Sequence, residues 1–447
     1  MNKETISQEP HQLAAPQHSE TLSQTPNAAS RIADANHQTF PSSLPVLFTR
    51  DFTFLCLITL SYFSSFFFFF PTLPFFITRL GGQEADIGML IGLSSLVSCG
   101  MKPFAGRWVD HRGRVRLMGL AVSVFTCTAA LHAWASSLTL LVGLRILYGI
   151  ALGCFTTASG AYLADVAPPA RRGEAASYWG LVNPAAMGII PPLALGLMHS
   201  SALHPLETHL VTTLPGLSAT AAWPENFALL FFTAAGIALT GSFFSLGMHE
   251  YHVPQSTGQR APLFAREALL PMTVNLFLYL TFTSYTSFLP LYARTFGIHN
   301  AGYLYTTYAL ALLSIRLVGA RMGDQFGRAA VIIPGLIAVV LGLLILALAP
   351  KTYALYLGVT FYGVGFGLAQ PGLSAFTIDR LSPTRRGIGM STFGQGLDLG
   401  MGLGGILMGF VATHIGFTAM YACGSGCVVL ALLIFLLGTR ATSQSVA

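Results

Sequence analysis

Four charged side chains stand in stretches of sequence that are otherwise apolar. Arg145 lies in Arg145-Ile146-Leu147-Tyr148-Gly149, and Asp398 lies in Gly394-Gln395-Gly396-Leu397-Asp398-Leu399-Gly400. Lys102 and Arg316 each precede an aspartate, Asp110 and Asp324, by eight residues. A charge well inside a bilayer costs roughly 2.5–3.5 kcal/mol on insertion scales, so it needs a cavity or a partner. A desolvated carboxylate can carry a proton near neutral pH, which makes Asp398 the candidate carrier of a coupling proton. The competing reading makes Asp398 a structural partner for Lys102 or Arg316, or for backbone groups of its Gly-rich helix. Arg145 is the second candidate for proton coupling; the plainer reading is an arginine that snorkels to the nearby interface.

These residues belong to a pattern that occurs twice. Lys102, Arg107, Asp110, Gly113 and Arg114 recur as Arg316, Arg321, Asp324, Gly327 and Arg328, with a constant offset of 214 residues. The same offset relates Gly149 to Gly363, Gly153 to Gly367, Asp165 to Asp379, and Arg171-Arg172-Gly173 to Arg385-Arg386-Gly387. One offset across so many charged and glycine positions indicates two copies of one unit. Arg145 breaks the repeat, because its counterpart is Val359. The shared scaffold therefore does not require it.

The elements that carry these residues follow from composition. The chain has 447 residues, 53% hydrophobic and 9% charged, against roughly 25% charged in a soluble domain. Apolar runs of about 20 residues read as spanning helices. Twelve such runs start near Asp51, Glu84, Leu117, Leu138, Ala175, Asn226, Ala268, Ala301, Ala329, Tyr353, Ile388 and Thr418. The alternating segments of a spanning barrel do not occur. Arginines collect in alternate loops, and the opposite loops hold only Arg79, Arg294 and Lys351. The positive-inside rule then places both termini in the cytoplasm. The formal charge of +6 is spread over these loops, which argues against nucleic acid as a partner.

The segment Gly106-Arg107-Trp108-Val109-Asp110-His111-Arg112-Gly113-Arg114 resembles the G-x-x-x-D-x-x-G-R loop of the major facilitator superfamily. The wider resemblance, carried by Tyr162-Leu163-Ala164-Asp165 and Gly365-Phe366-Gly367-Leu368-Ala369-Gln370-Pro371, is to bacterial drug or arabinose-efflux-type proton-coupled permeases. Arg145 and Gly149 are similar to the R-x-x-x-G motif in span 4 of proton-coupled antiporters, with Tyr148 where that pattern often has Gln. In span 5, Pro192 fits the antiporter pattern G-x-x-x-G-P, but Met187 and Pro191 replace its glycines. The resemblance implies an all-α membrane protein of twelve helices in two parallel six-helix pseudo-repeats. It implies a cytoplasmic latch built from Asp110, Arg114, Asp165 and Arg171 in one half, and Asp324, Arg328, Asp379 and Arg385 in the other. Loop anchoring is the simpler role for the same charges. The repeat symmetry of Lys102 and Arg316 points to a scaffold or gate role more than to substrate chemistry. The resemblance also implies a path lined by spans 1, 4, 7 and 10, with Tyr62, Phe69, Tyr148, Thr156, Tyr279, Tyr285, Tyr362 and Gln370 as candidates.

The expected organisation is a disordered cytoplasmic tail (1–48), an N-terminal half (49–248), a cytoplasmic linker (249–265), a C-terminal half (266–438) and a short tail (439–447). The expected function is proton-coupled efflux of a small organic compound, drug, siderophore, metallophore or sugar-like, from a bacterial cytoplasmic (inner) membrane by a monomer. Proton-linked uptake or facilitated diffusion on the same fold is the first alternative. A non-transporting sensor or assembly protein is the second. No phosphate loop, nucleophile elbow or zinc motif is present, so no cofactor and no enzymatic activity are expected. The six cysteines sit in apolar runs and read as small hydrophobes. His199, His204 and His209 fall in the longest loop of the face opposite the arginines; a solvated loop is the plainer reading there than a metal site.

Overall fold

The computed structural model describes residues 46–168, 171–217, 223–251, 265–298, 300–349, 351–382 and 385–444; the tail before Val46 and most of the linker lie outside them. Twelve helices are long and apolar enough to cross a membrane. Spans 1 to 6 are Arg50–Arg79, Glu84–Arg112, Arg114–Leu131, Leu138–Val166, Arg172–Met198 and Phe227–Leu246. Span 7 runs Leu269–Thr283, a π-helical turn Ser284–Phe288, and Leu289–Arg294. Spans 8 to 12 are Gly302–Gln325, Ala329–Ala347, Thr352–Asp379, Arg386–His414 and Phe417–Gln444. Each begins within three residues of the position expected from the apolar runs.

The 214-residue repeat is visible in the packing. A Cβ on Gly149 would lie 2.4 Å from the Ser94 carbonyl oxygen, and one on Gly153 would lie 2.7 Å from that of Ser98. Their counterparts Gly363 and Gly367 press in the same way on Tyr308 and Leu312, at 2.7 and 2.8 Å. Ser94 and Ser98 are themselves 214 residues from Tyr308 and Leu312. Span 4 thus seats on span 2 as span 10 seats on span 8, through small residues that let backbones touch.

The two halves meet along spans 2 and 11 and along spans 5 and 8. Glycine makes the first contact possible. A Cβ on Gly88 would stand 2.1 Å from the Gly405 carbonyl oxygen, and one on Gly92 would stand 2.4 Å from that of Gly402. At the same level the Ala85 N–H donates to the Thr413 hydroxyl at 2.7 Å. In the second contact, the Thr306 hydroxyl donates to the Gly188 carbonyl at 2.7 Å, and the Asn300 amide donates to the Pro192 carbonyl at 3.2 Å. Gly188 loses its helical partner because Pro192, four residues on, has no N–H. All these contacts lie toward the end of the bundle opposite the Arg-rich loops. At the Arg-rich end, the ion pairs among the described residues stay within one half.

Two features were not expected. The long loop before span 6 folds as a short helix, His204–Thr213. Its Glu207 is buried and accepts from the N–H groups of Ala228 and Leu229 at 2.9 and 2.7 Å, capping span 6. The second is the π-helical turn in span 7. Pro290 frees the Thr286 carbonyl there, and the Tyr305 hydroxyl donates to it at 2.5 Å.

Overpacking a close helix contact costs about 1–3 kcal/mol. Gly88→Leu and Gly405→Leu are each expected to lower the apparent melting temperature of the purified protein. Gly100→Leu, whose Cβ would meet nothing within 4 Å, is expected to leave it unchanged. Thermal unfolding in detergent checks this.

Candidate functional site

Lys102 of span 2 and Asp398 of span 11 form an ion pair across the two halves. It is the only cross-half ion pair among the described residues. The Asp398 side chain is 5% exposed and that of Lys102 25%. Asp398 stands twelve residues into its helix from Arg386, or about 18 Å. Lys102 is ten residues from Arg112, or about 15 Å. The pair therefore lies deep in the bundle, on the Arg-rich side of the glycine contact. Of the two partners weighed for Asp398, the structure brings Lys102 to it.

Arg316, the repeat counterpart of Lys102, also reaches across the interface. Its Nη1 donates to the Gly180 carbonyl of span 5 at 3.3 Å. That carbonyl is free because Pro184 interrupts the helix four residues later. Arg316 and Asp398 form no ion pair.

Arg145 is 3% exposed and forms no ion pair with Asp398. Its Nη2 lies 2.5 Å from His132 Nε2. His132 Nδ1 lies 2.6 Å from the Thr128 carbonyl oxygen, so Nδ1 carries the proton and Nε2 accepts from the guanidinium. The guanidinium also stands over the rings of Tyr148 and Phe69, 4.1 and 5.2 Å from their centroids, which supplies further stabilisation. A small cavity of about 20 Å³ adjoins it, lined by Phe69, Ser94, Ser95, Arg145 and Tyr148 with Met401 from the other half. His132 was missed in the sequence. Its only signal there was one imidazole at the end of the apolar third span.

The expected path residues divide. Phe69 and Tyr148 line the cavity. Tyr279 is half-buried beside Arg316 and Asp398. Tyr62 is stacked on Phe155 at 3.9 Å inside the N-terminal half. Tyr285 and Tyr362 belong to a buried tyrosine cluster with Tyr305 and Tyr308. The Tyr362 hydroxyl is bonded to that of Thr281 at 3.0 Å. Thr156 bonds back to the Leu152 carbonyl at 2.9 Å, and Gln370 is half-buried.

The charge clusters at the Arg-rich end form in part. Arg114 pairs with Asp165 at 2.9 Å, and Arg328 bridges Asp324 at 2.7 Å and Asp379 at 2.8 Å. The two carboxylates push the Arg328 guanidinium above its ordinary range, chiefly through the hydrogen bonds they accept. Arg171 pairs with Glu174 rather than with Asp165, because an acid three residues along the same helix is within easy reach. Arg385 pairs with Glu267, at the start of span 7. The side chain of Asp110 lies outside the described residues. A further member was missed. The Glu250 carboxylate caps span 3, accepting from the N–H groups of Arg114, Val115 and Arg116 at 2.6, 3.0 and 3.3 Å. Beside it the Tyr251 hydroxyl donates to Asp51 at 2.8 Å, which pushes the Tyr251 phenol up.

A twelve-span bundle of two pseudo-repeats with charged residues at their interface is a membrane-transporter architecture. The chain belongs to the Major Facilitator Superfamily, whose sequence profile matches residues 55–299 and 271–446. It is 26% identical over 403 residues to an uncharacterised MFS-type transporter of Burkholderia pseudomallei, covering 86% of this chain and 90% of that one. It is 22% identical over 375 residues to the staphylopine export protein of Staphylococcus aureus, covering 80% and 88%. Among solved structures it is similar to a bacterial homologue of the human lysosomal transporter Spinster in an inward-facing and occupied conformation. The TM-score there is 0.69 at 15% identity, covering 87% of this chain and 96% of that one.

Hydrogen bonds to charged groups contribute about 1.5–3 kcal/mol. His132→Ala is expected to lower the melting temperature by leaving the Arg145 guanidinium without its acceptor. His132→Gln, which keeps an acceptor, is expected to recover most of the loss. Equal melting of wild type and His132→Ala would show that the bond carries no stability.

Proposed function

We propose that the protein is a proton-coupled secondary transporter that exports a small organic molecule from the bacterial cytoplasm by alternating access. The observation that carries this reading is the buried Lys102–Asp398 pair across the two halves. Rocking the halves apart must separate that pair. Parting a buried pair leaves each charge uncompensated, and a desolvated ion carries a penalty of several kcal/mol. A proton delivered to Asp398 removes one of the two charges before they part, so proton arrival and conformational change become one event. The ligand then biases the change through its differential affinity for the two states.

The distribution of arginines supports a cytoplasmic Arg-rich end. The glycine contacts between spans 2 and 11 then lie toward the outer end. The Arg114–Asp165 and Arg328–Asp324–Asp379 pairs hold each half together internally at the Arg-rich end. In the state closed at that end they form the surfaces that meet. The staphylopine export protein among the relatives supports export as the direction. Arg145, held by His132 and two rings, is the positioning charge of the N-terminal half, next to the cavity.

The test is proton release from purified protein on addition of a panel of drugs, siderophores and sugars. Wild type is expected to release protons with at least one member, and Asp398→Asn with none. The double variant Lys102→Met/Asp398→Leu is expected to fold and to bind without proton release. Release that persists in Asp398→Asn would remove Asp398 from the coupling. Binding by wild type without any release would make the protein a uniporter or a sensor.

A further inference from the structure

We propose that Arg316 is an anion-binding residue, and that the transported molecule is an organic anion whose acidic group docks on it at the interface between the halves. The inference deepens the transport reading above, on which the word "transported" rests.

The argument starts from the broken symmetry of the repeat. Lys102 and Arg316 are counterparts, and each reaches into the opposite half. Asp398, which neutralises Lys102, has Pro184 as its counterpart 214 residues earlier. One cation of the symmetric pair therefore meets a carboxylate, and at the position equivalent to that carboxylate the other half has a proline. Pro184 does free the Gly180 carbonyl, and Arg316 occupies it with a single N–H at 3.3 Å. A neutral carbonyl does not neutralise a guanidinium. Arg316 Nε is buried and has no hydrogen-bond partner.

Charge counting leads the same way. Away from their ends, the described spans hold Lys102, Arg145 and Arg316 against the single carboxylate Asp398. Lys102 takes that carboxylate. Arg145 has His132 and two ring faces, although its Nε too is buried without a hydrogen-bond partner. Arg316 keeps a full positive charge with part of its donor fork unused. A planar fork with free N–H groups is the geometry that recognises carboxylates and phosphates.

The neighbours of Arg316 suit an amphipathic acid. Tyr279 and Tyr308 are its electrostatic neighbours, and both rings lie against Phe366. Tyr279 also packs against Gly400, two residues from Asp398. An anion on Arg316 therefore sits one tyrosine away from the turn of span 11 that carries Asp398.

The experiment is equilibrium dialysis of the purified full chain in nanodiscs against three probes with one ring system: naphthylacetate, naphthylacetamide and naphthylmethylamine. Wild type is expected to retain the carboxylate about tenfold more strongly than either the amide or the amine, a difference of about 1.4 kcal/mol. Arg316→Gln keeps a donor for the Gly180 carbonyl and is expected to lose that preference. Arg316→Lys is expected to keep part of it. Pro184→Asp, which supplies the missing carboxylate, is expected to abolish it with Arg316 still present. Equal retention of the three probes, retention of none at millimolar concentration, or an unchanged preference in Arg316→Gln would each overturn the proposal. Proton release at Asp398 is a separate measurement. Charge-selective binding without proton release would sink the coupling and leave the anion site standing. Proton release without charge selectivity would do the reverse.

Discussion

Lipid offers no hydrogen bonds, so every backbone polar group within the spans must find its partner in the protein. Much of this architecture follows from that constraint. Prolines in spans 5 and 7 release carbonyls from the helical ladder, and three of these carbonyls draw a donor from another span. Pro290 releases Thr286 to Tyr305, Pro192 releases Gly188 to Thr306, and Pro184 releases Gly180 to Arg316. The last two cross between the halves. The residues that bend the helices are thus also the ones that tie span 5 to span 8.

Glycine does the complementary work on the other side of the interface. Span 11 has two glycine faces. Gly402 and Gly405 admit the backbone of span 2, while Gly396, Gly400 and Gly404 admit that of span 7. A helix that touches two neighbours at backbone distance can carry one polar side chain only where a partner is provided. Asp398 stands between those faces and finds Lys102.

The spans, their order and the repeat were legible because apolar length and a constant offset are properties of the sequence itself. Gly149 and Gly363 were legible as equivalents for the same reason, and their packing agrees. Partners were less legible. Arg171 and Arg385 were placed with the aspartates of their motif, yet local geometry gave them Glu174 and Glu267. Glu250 and Glu207 cap helix ends from outside the repeat, so no internal comparison pointed to them. His132 was invisible because its role depends on Arg145, thirteen residues on and one helix away. The π-helical turn of span 7 follows from a packing choice around Pro290 that apolar periodicity does not encode.

The departures from symmetry carry more meaning than the symmetry. A transporter must keep its two states close in energy, and a ligand that moves a population from 1:99 to 99:1 supplies about 5.5 kcal/mol. A perfectly repeated interface with two buried cross-half ion pairs would leave four charges uncompensated as the halves part, at several kcal/mol for each desolvated ion. Together they would exceed what one ligand can return. Replacing the second carboxylate by Pro184 removes one of those costs and leaves Arg316 held by a weak bond to a carbonyl. On the reading proposed above, the remaining pair offers a proton site at Asp398, and the unmatched Arg316 offers a site for a negative charge.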